Sequence, residues 1–360
     1  MLERYIYAAL SNIPLIDSAS IEKIISLSGG ADNLLSLSET ELSEKTQMPS
    51  GMAKNIKNLL TDCEENFSKL SERLKKFDSY AVTYVDSLYP SMLKLIPDAP
   101  PILYCRGDLS EHSKPAVAIV GARKADSYGL EAAFYLGKQL ALEGFTIVSG
   151  MAKGVDGAAH KGVLSANGKT IAVLGSGIDI IYPKEHKHLY NNIIKSGAVI
   201  TEFPLSSPPI AYHFPMRNRI IAGMSLASIV VQADIRSGSL HTVNRALLYG
   251  RDVMAVPGSI FSRLSKGTNL LIKEGAPMVE NAEDVLSFLG MAKEVNVSRK
   301  PKVKMSEIEE KVYNLIDGMT GSYELAETSG INVNELLGIL SLLEFKGFVK
   351  SSKGVYIRAV

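Results

Sequence analysis

Short runs of apolar residues, most of them rich in valine and isoleucine, recur along the middle of the chain and lead into turns. Because the runs are continuously apolar, they predict strands that are buried on both faces. Amphipathic segments such as Gly129–Gly144 separate them and predict crossover helices, hence an α/β fold with a mostly parallel sheet. The predicted strands are Val117–Val120, Thr146–Ser149, Thr170–Leu174, Ala198–Thr201, Ser228–Ala233 and Asp252–Val256.

The N-terminal 65 residues instead predict a small all-helical domain. Turns are expected between its helices at Gly29–Gly30 and Pro49–Gly51. Ser18 or Ser20 is the expected N-cap of its second helix. Paired short helices around glycine turns fit either helix-hairpin-helix DNA contacts or a packing and protein-contact module. The predicted helices are Tyr5–Leu10, Ser20–Leu27, Asp32–Leu37 and Ser38–Thr46, followed by a charged helix at Cys63–Lys76 that leads towards the sheet.

The C-terminal part predicts a winged helix behind a linker. Residues 293–304 are polar, basic and proline-containing, and helices at Ser306–Asp317, Tyr323–Thr328 and Asn334–Phe345 precede a two-stranded wing. The last of these helices is almost entirely apolar with two glutamates, which argues against reading of base edges in a major groove. The predicted domains are therefore 1–65, 66–292 and 305–360, with 293–304 as linker.

Composition narrows the class of protein. The chain has 360 residues, 46% of them hydrophobic, without an apolar run long enough to cross a bilayer and without a secretory signal pattern at its start, so we expect a cytoplasmic protein. Cys63 and Cys105 form no Cys-x-x-Cys pair and are expected to be reduced and buried.

The charge is distributed unevenly along the chain. Residues 1–60 carry 5 Lys and Arg against 7 Asp and Glu, residues 116–258 carry 14 against 9, and residues 305–360 carry 5 against 8. A polyanion is therefore expected to bind the central segment, and the acidic N-terminal module is expected to pack or to contact protein.

Three glycine-bearing turns follow predicted strands. They are Gly121–Gly129 with Arg123, Ser149–His160 with Lys153, and Arg236–Thr242. Backbone amides, helix N-termini and cations at such turns bind phosphates. Taken singly, each turn also fits ordinary tight-turn geometry with solvated cations. Their repetition at the carboxyl ends of neighbouring strands predicts one broad anion-binding surface.

Neither a cofactor nor catalysis is expected. The first turn does not complete G-x-G-x-x-G, and Gly162–Thr170 has five residues between its glycines and precedes a strand, unlike a Walker A loop. No nucleophile elbow or metal-ligand spacing occurs in the sequence. Glu202 and Asp156 are the best-placed acids, yet helix capping or pairing with Arg217 or Arg219 explains them more simply.

The chain resembles the DprA/Smf family of bacterial DNA-processing proteins, which load the recombinase RecA on incoming single-stranded DNA during natural transformation. The resemblance spans about residues 84–277. It is carried by Ala118–Arg123 with Ser127–Gly129, Ser149–His160, Thr170–Gly177 with Tyr182–Pro183, Phe214–Ser225, Ser237–Ser239 and Val256–Gly258.

The resemblance implies an extended Rossmann-like domain that binds single-stranded DNA independently of its sequence, forms a homodimer and passes the strand to RecA. It also implies a sterile-alpha-motif-like N-terminal domain and a C-terminal winged helix. Carried over residue by residue, the DNA-binding positions are Gly121, Arg123, Ser127, Gly150, Lys153, Lys184, Arg217, Asn218, Arg219, Ser237, Gly238 and Ser239. Arg123, Arg217 and Arg219 are expected to contribute most.

Two positions depart from the family pattern. Gln232 stands where an acid is usual, which puts an acid-dependent orientation of Arg236 in doubt, and Val243 stands where alanine usually follows the threonine. Since the chain has no tryptophan, stacking on bases would fall to Tyr128, Tyr182, Tyr212 or Phe214.

Two alternatives remain open. In one, the terminal modules are the functional part and the sheet is their scaffold. The other is an enzyme. The Ser237–Leu240 turn and the sheet also resemble phosphoribohydrolases that act on nucleoside monophosphates, with Glu202 as a possible acid. The P-G-G-x-G-T signature of that family is absent.

Overall fold

The computed structural model describes residues 2–110, 115–292, 305–316, 320–346, 348–352 and 355–358. The predicted linker at 293–304 lies outside these residues. Contacts group the chain into two compact units, Met1–Met291 and Ala292–Val360. No helix within the described ranges is long and apolar enough to cross a membrane.

Six helices occupy the start of the first unit. The first five enclose a core of their own that includes Ile6, Leu10, Ile21 and Leu34, whereas Phe67 and Leu74 of the sixth pack into a core shared with the sheet. Asp17, in place of the expected Ser18 or Ser20, caps the second helix, because its carboxylate accepts from the backbone N of Ser20 at 2.7 Å. The helices are α1 Leu2–Leu10, α2 Ser18–Leu27, α3 Ala31–Ser36, α4 Glu39–Thr46, α5 Ser50–Leu60 and α6 Cys63–Lys75.

The α5 helix was not predicted from the sequence, since Pro49 and Gly51 indicated a turn. Pro49 instead takes the N-cap position, directly before the first helical residue, where its missing N–H costs nothing. The predicted boundary near residue 65 stays a prediction.

An eight-stranded sheet forms the centre of the first unit, in the order β1-β2-β6-β5-β4-β3-β7-β8. The six strands from β3 to β8 are parallel, whereas β1 and β2 are antiparallel at one edge. The strands are β1 Ser79–Thr83, β2 Ile102–Gly107, β3 Ala116–Val120, β4 Thr146–Ser149, β5 Thr170–Val173, β6 Ala198–Thr201, β7 Ala227–Val230 and β8 Asp252–Ala255. The predicted α/β fold with a mostly parallel sheet is confirmed.

Helices cover both faces of this sheet. Successive residues of a strand point to opposite faces, so that Val117 and Ile119 pack beneath α8 and α9 while Ala118 and Val120 belong to the core on the side of α11 and α12. The helices are α7 Ser91–Lys94, α8 Ser127–Leu142, α9 Val155–Ser165, α10 Lys187–Ser196, α11 His213–Gly223, α12 Leu240–Leu248, α13 Lys266–Lys273 and α14 Ala282–Phe288.

The second unit contains three helices and a small antiparallel sheet with the order β10-β11-β9. Leu336, Leu340 and Leu343 of its last helix contribute to a separate core. The elements are α15 Glu307–Leu315, β9 Thr320–Gly321, α16 Ser322–Ser329, α17 Val333–Phe345, β10 Val349–Ser352 and β11 Val355–Arg358. The assignment of this unit as a winged helix stays a prediction.

Candidate functional site

The sheet reverses its winding direction at β3. From β3 the chain adds β4, β5 and β6 outward on one side, and it then crosses to add β7 and β8 on the other side. In open α/β sheets such a switch point leaves a crevice outside the carboxyl ends of the strands. A cavity of about 630 Å³ lies at this point, bounded by the turns after β3 and β7 and by α11.

This crevice brings together predicted site residues from three separate segments. The turns after β3 and β7 touch directly, because Ala122 N donates to the carbonyl oxygen of Gln232 at 2.7 Å. The hydroxyls of Ser237 and Ser239 lie 2.8 Å apart immediately before α12. The predicted residues that line the crevice are Gly121, Arg123, Arg217, Asn218, Ser237, Gly238 and Ser239.

Arg123 is exposed at the mouth of the crevice and lies against an aromatic ring. Its guanidinium carbon is 4.8 Å from the centroid of the Phe214 ring, which in turn lies 5.6 Å from the ring of Tyr182. All three residues also line a smaller adjoining cavity of about 220 Å³. A cation held over an aromatic face next to an exposed tyrosine can bind a phosphate and a base together.

Arg217 is buried, with 4% of its side chain exposed. Its Nη1 donates to the carbonyl oxygen of Gly150 at 2.7 Å and to that of Val173, so that it joins the ends of β4 and β5. Its Nη2 lies 4.0 Å from a carboxylate oxygen of Asp156. Arg217 therefore positions the strand ends and adds positive charge to the floor of the crevice.

Burial dominates the titration of this pair. Loss of water lowers the pKa of Arg217 to about 10, and the neighbouring Asp156 only partly opposes that shift. Burial likewise raises the pKa of Asp156, while Arg217 and the backbone N–H of Ala152 favour its charged form. The expectation that Asp156 pairs with a nearby arginine agrees with this geometry.

Arg219 lies on the other side of α11. Residues two apart on an α-helix point about 200° apart, so Arg217 and Arg219 cannot share one cavity. Nη1 of Arg219 donates to the carbonyl oxygen of Asp98 at 2.7 Å, and its Nη2 forms an ion pair with Glu202. The pairing of Glu202 with Arg219 that the sequence suggested is confirmed. Arg219 lines a second cavity of about 640 Å³ and does not line the crevice.

The remaining predicted residues lie around the smaller cavity or outside both spaces. Gly150 and Lys153 line the smaller cavity, and the ammonium of Lys153 pairs with the carboxylate of Glu185 at 2.6 Å. Lys184 is exposed at the start of a short 3₁₀ turn, and Ser127 is exposed at the first position of α8.

Gln232 has a structural role that the sequence did not reveal. It is 1% exposed, its Nε2 donates to Oδ1 of Asp126 at 2.8 Å, and its Oε1 accepts from the backbone N of Asp126 at 3.3 Å. Asp126 also caps α8 through the N–H of Gly129. The amide thus locks the β7 turn to the start of α8, and the contacts of Gln232 involve Asp126 rather than Arg236.

Sequence reasoning assigned no role to three polar residues that line the crevice, Asp234, His241 and Thr242. His241 and Thr242 lie at the start of α12 within the predicted Arg236–Thr242 turn, which was the available signal. Asp234 forms an ion pair with Arg263 at 3.2 Å. Of the four aromatic candidates for stacking, Tyr182 and Phe214 line the crevice and Tyr212 lines the second cavity, whereas the hydroxyl of Tyr128 donates to the carbonyl oxygen of Pro257 at 2.5 Å. Within the described part of the chain, no group of three or more His, Cys, Asp or Glu side chains could hold a metal ion.

A family model described as DNA recombination-mediator protein A matches residues 80–290. DNA processing protein DprA of Streptococcus pneumoniae is 44% identical over 218 residues, which are 61% of this chain and 76% of that protein. Protein Smf of Escherichia coli is 38% identical over 279 residues, or 75% of either chain.

Solved structures give the same relationship. The X-ray structure of DprA from Streptococcus pneumoniae superposes with a TM-score of 0.69 at 35% identity and covers 79% of this chain and 97% of that one. DprA from Helicobacter pylori, whose structure is described as giving insight into a single-stranded DNA binding mode, superposes with a TM-score of 0.53 at 31% identity and covers 58% and 95%.

Proposed function

The chain belongs to the DNA recombination-mediator protein A family, known as DprA or Smf, and from this premise we propose that it binds single-stranded DNA in the crevice at the switch point. The observation that carries the proposal is the convergence of exposed Arg123, the Phe214 ring and the β7 turn on one open cavity. Backbone phosphates lie against the turns and Arg123, and bases stack on the Phe214 and Tyr182 rings.

The buried arginines have supporting roles in this proposal. Arg217 holds the carboxyl ends of β4 and β5 together and adds positive charge beneath the crevice. The loop after β4, which Arg217 fixes, presents Gly150 and Lys153 to the bound DNA. The phosphate contacts belong to Gly121, Arg123, Ser127, Lys153, Lys184, Asn218 and the turn Ser237–Ser239. Arg219 lies on the opposite side of α11 and makes none of these phosphate contacts.

Replacing Arg123 with alanine tests this site. Each phosphate contact to a single strand contributes about 0.7 to the slope of log affinity against log salt concentration, so Arg123→Ala is expected to lower that slope by about 0.7. Lys138→Ala is the matched control, since Lys138 is an exposed cation on α8 that lines none of the three cavities around α11. If both variants keep the wild-type affinity and slope, the assigned site is wrong.

The chain is proposed to act without catalysis. The enzymatic alternative needs Glu202 as an acid beside a bound nucleotide, but Glu202 pairs with Arg219 on the far side of α11 from the crevice. Release of free base from nucleoside monophosphates, lost in Glu202→Gln, would overturn the non-enzymatic proposal.

The biological role proposed here is loading of RecA on incoming single strands during natural transformation, by a homodimer in the cytoplasm. Membership of the family supports this role. The cytoplasmic location agrees with Cys63 and Cys105, which are buried free thiols, as is usual in a reducing compartment. Faster RecA filament formation on protein-coated single strands is the expected result, together with a dimeric mass in sedimentation. If the protein leaves the rate of RecA filament formation unchanged, the proposal that it loads RecA is wrong.

The second unit is proposed to be a winged helix that contacts protein instead of reading a major groove. The exposed side of α17 presents Leu337 and Leu342 together with Glu335 and Glu344. Lys346 at its C-cap is engaged by Glu309 at 2.6 Å. Base recognition in a major groove instead uses arginine, lysine, asparagine or glutamine, and Asn334 is the one residue of these types within α17.

A further inference from the structure

An open groove of about 440 Å³ lies between the N-terminal parts of α8 and α9. Leu130 and Phe134 of α8 line it from one side, and Gly157 and Lys161 of α9 line it from the other. It shares no lining residue with the crevice or with the smaller cavity. The α8–α9 groove is therefore a separate surface, on the helix layer that covers one face of the sheet.

The backbones of the two helices touch beside this groove. A Cβ built on Gly162 would lie 2.1 Å from the carbonyl oxygen of Phe134, and one built on Gly137 would lie 2.5 Å from that of Ala159. So close a contact leaves no space for the Phe134 ring between the helices, and 39% of Phe134 is exposed. The aromatic ring is therefore accessible from the groove.

Lys161 supplies a cation beside this ring. Its side chain is exposed and forms no ion pair or hydrogen bond with any described residue. His186 bounds the groove at the 3₁₀ turn, where its Nδ1 lies 2.9 Å from the carbonyl oxygen of Met151 and its ring lies against the backbone of Gly157. An exposed aromatic ring next to an unpaired cation is the combination that sequence-independent single-strand sites use.

The groove begins one residue beyond the proposed DNA site. Lys153 lines the smaller cavity, and the next residue, Gly154, lines the groove. Pro183 likewise lines the smaller cavity and His186 lines the groove, with the exposed Lys184 between them. Consecutive Cα atoms are about 3.8 Å apart, close to the ~3.4 Å between charges along one strand of DNA. A strand that leaves the smaller cavity therefore passes two lysines and reaches the groove within a few nucleotides.

We propose that the bound single strand extends from the smaller cavity over Lys153 and Lys184 into the α8–α9 groove, where a base stacks on Phe134 and a phosphate contacts Lys161. The inference rests on the proposed binding of single-stranded DNA. Every base has a π-face and an ammonium group contacts any phosphate, so the groove adds affinity without selecting a base. The flanking lysines and the unpaired Lys161 favour a polyanion over an apolar protein segment as the occupant.

The test measures the affinity of the full chain for oligo-dT strands of about 4 to about 16 nucleotides. Phe134→Leu removes the ring but keeps an apolar side chain, so the longest strand should bind about tenfold more weakly than to the wild type because one base stack is lost. The shortest strand, which the crevice and the smaller cavity accommodate, should bind both proteins equally. Lys161→Ala should lower the slope of log affinity against log salt concentration by about 0.7 for the longest strand and leave the slope for the shortest unchanged.

Two matched controls lie away from the groove. Phe77→Leu replaces a ring that is also 39% exposed but lies just before β1 and lines neither the groove nor the three cavities around α11. Lys195→Ala removes an exposed cation near the end of α10, which leads into the amino end of β6, whereas the turns that bind DNA follow the carboxyl ends of strands. Both controls should match the wild type at every length, and melting temperatures check that each variant folds.

Glu131 provides a prediction of opposite sign. Among the described residues that line the groove it is the one acid, and its carboxylate repels a phosphate bound at Lys161. Glu131→Gln should therefore tighten the binding of the longest strand by about twofold and leave that of the shortest unchanged. A substitution that only disturbed the fold would not raise the affinity.

The dependence on length separates the outcomes. If Phe134→Leu and Lys161→Ala match the wild type at every length, or weaken all lengths by the same factor, the extension into the groove is wrong while single-strand binding stands. If these variants change the sedimenting mass of the protein and not the affinity for long strands, the groove is a protein contact and the inference is wrong. Absence of binding of the wild type to strands of any length would remove the proposed function itself.

Discussion

Replacing Gly150 with alanine is predicted to destabilise the protein through Arg217. A Cβ built on Gly150 would lie 2.6 Å from Nη1 of Arg217 and closer still to Nη2 and Cζ, whereas ordinary van der Waals contact begins near 3.4 Å. Nη1 alone must therefore move by about 0.8 Å, and Nη2 and Cζ must move further. It is packed between the carbonyl oxygens of Gly150 and Val173 and the carboxylate of Asp156, so that movement breaks contacts of a buried charge.

The magnitude follows from those contacts. A hydrogen bond to a charged group contributes about 1.5–3 kcal/mol, and overpacking a well-filled interior costs about 1–3 kcal/mol. With one bond lost and partial relaxation, the free energy of unfolding is expected to fall by about 3 kcal/mol. Binding of single strands should weaken as well, because the β4 turn that carries Lys153 loses its support.

Urea denaturation of the first unit checks this prediction, and the matched control is Gly238→Ala. Gly238 also lies in a strand-end turn of the site, but a Cβ there meets nothing within 4 Å. Its replacement should leave the free energy of unfolding within about 0.5 kcal/mol of wild type or raise it slightly, because alanine restricts the unfolded chain. If the two variants are equally stable, Arg217 does not hold the ends of β4 and β5 together as a buried hydrogen-bond donor.

Two further predictions concern buried polar groups. Gln232→Glu removes the donor to Asp126 and buries a second carboxyl beside it, so the free energy of unfolding should fall by about 2 kcal/mol at pH 7. Part of this loss should be recovered at pH 5, where the introduced carboxyl can be protonated. An equal loss at both pH values would contradict this prediction. His160 is fully buried, and burial lowers its pKa in the folded state to about 3, whereas its pKa in the unfolded state is near 6.5. The neutral side chain therefore contributes to stability at pH values above 6.5, and this contribution is lost as the pH falls below that value, because the unfolded state then binds a proton that the folded state does not. Between pH 8 and pH 5 the wild type should therefore lose about 2 kcal/mol more than His160→Gln, and parallel pH profiles would refute the assignment.

The strands of the parallel sheet were predictable because their signal is local. Each is a short continuous apolar run, and the glycine-bearing turns that follow locate the carboxyl ends of the strands. The helix α5 was missed for the opposite reason, since Pro49 and Gly51 break a helix in its interior but are tolerated at its first turn.

The grouping of several candidate site residues in one crevice was predicted in outline, but the contacts that each of them makes were not. The convergence of the β3 and β7 turns follows from parallel topology, whereas the burial of Arg217 depends on carbonyl oxygens 67 and 44 residues away in the chain. The family resemblance placed Arg217 among the main DNA-binding residues, and nothing in its neighbourhood in the sequence indicated that it is buried. The helical spacing of Arg217 and Arg219 did contain a usable signal, because residues two apart face opposite ways. The pair formed by Asp126 and Gln232, 106 residues apart, had no local signal.

The most direct test of the central claim is the affinity of the full chain for a single strand and for a duplex of the same sequence, at about 50 and about 200 mM salt. A crevice that combines phosphate contacts with aromatic stacking requires accessible bases, so the single strand should bind more tightly at both salt concentrations and weaken steeply between them. Equal or tighter binding of the duplex, or an affinity that salt does not change, would contradict the account.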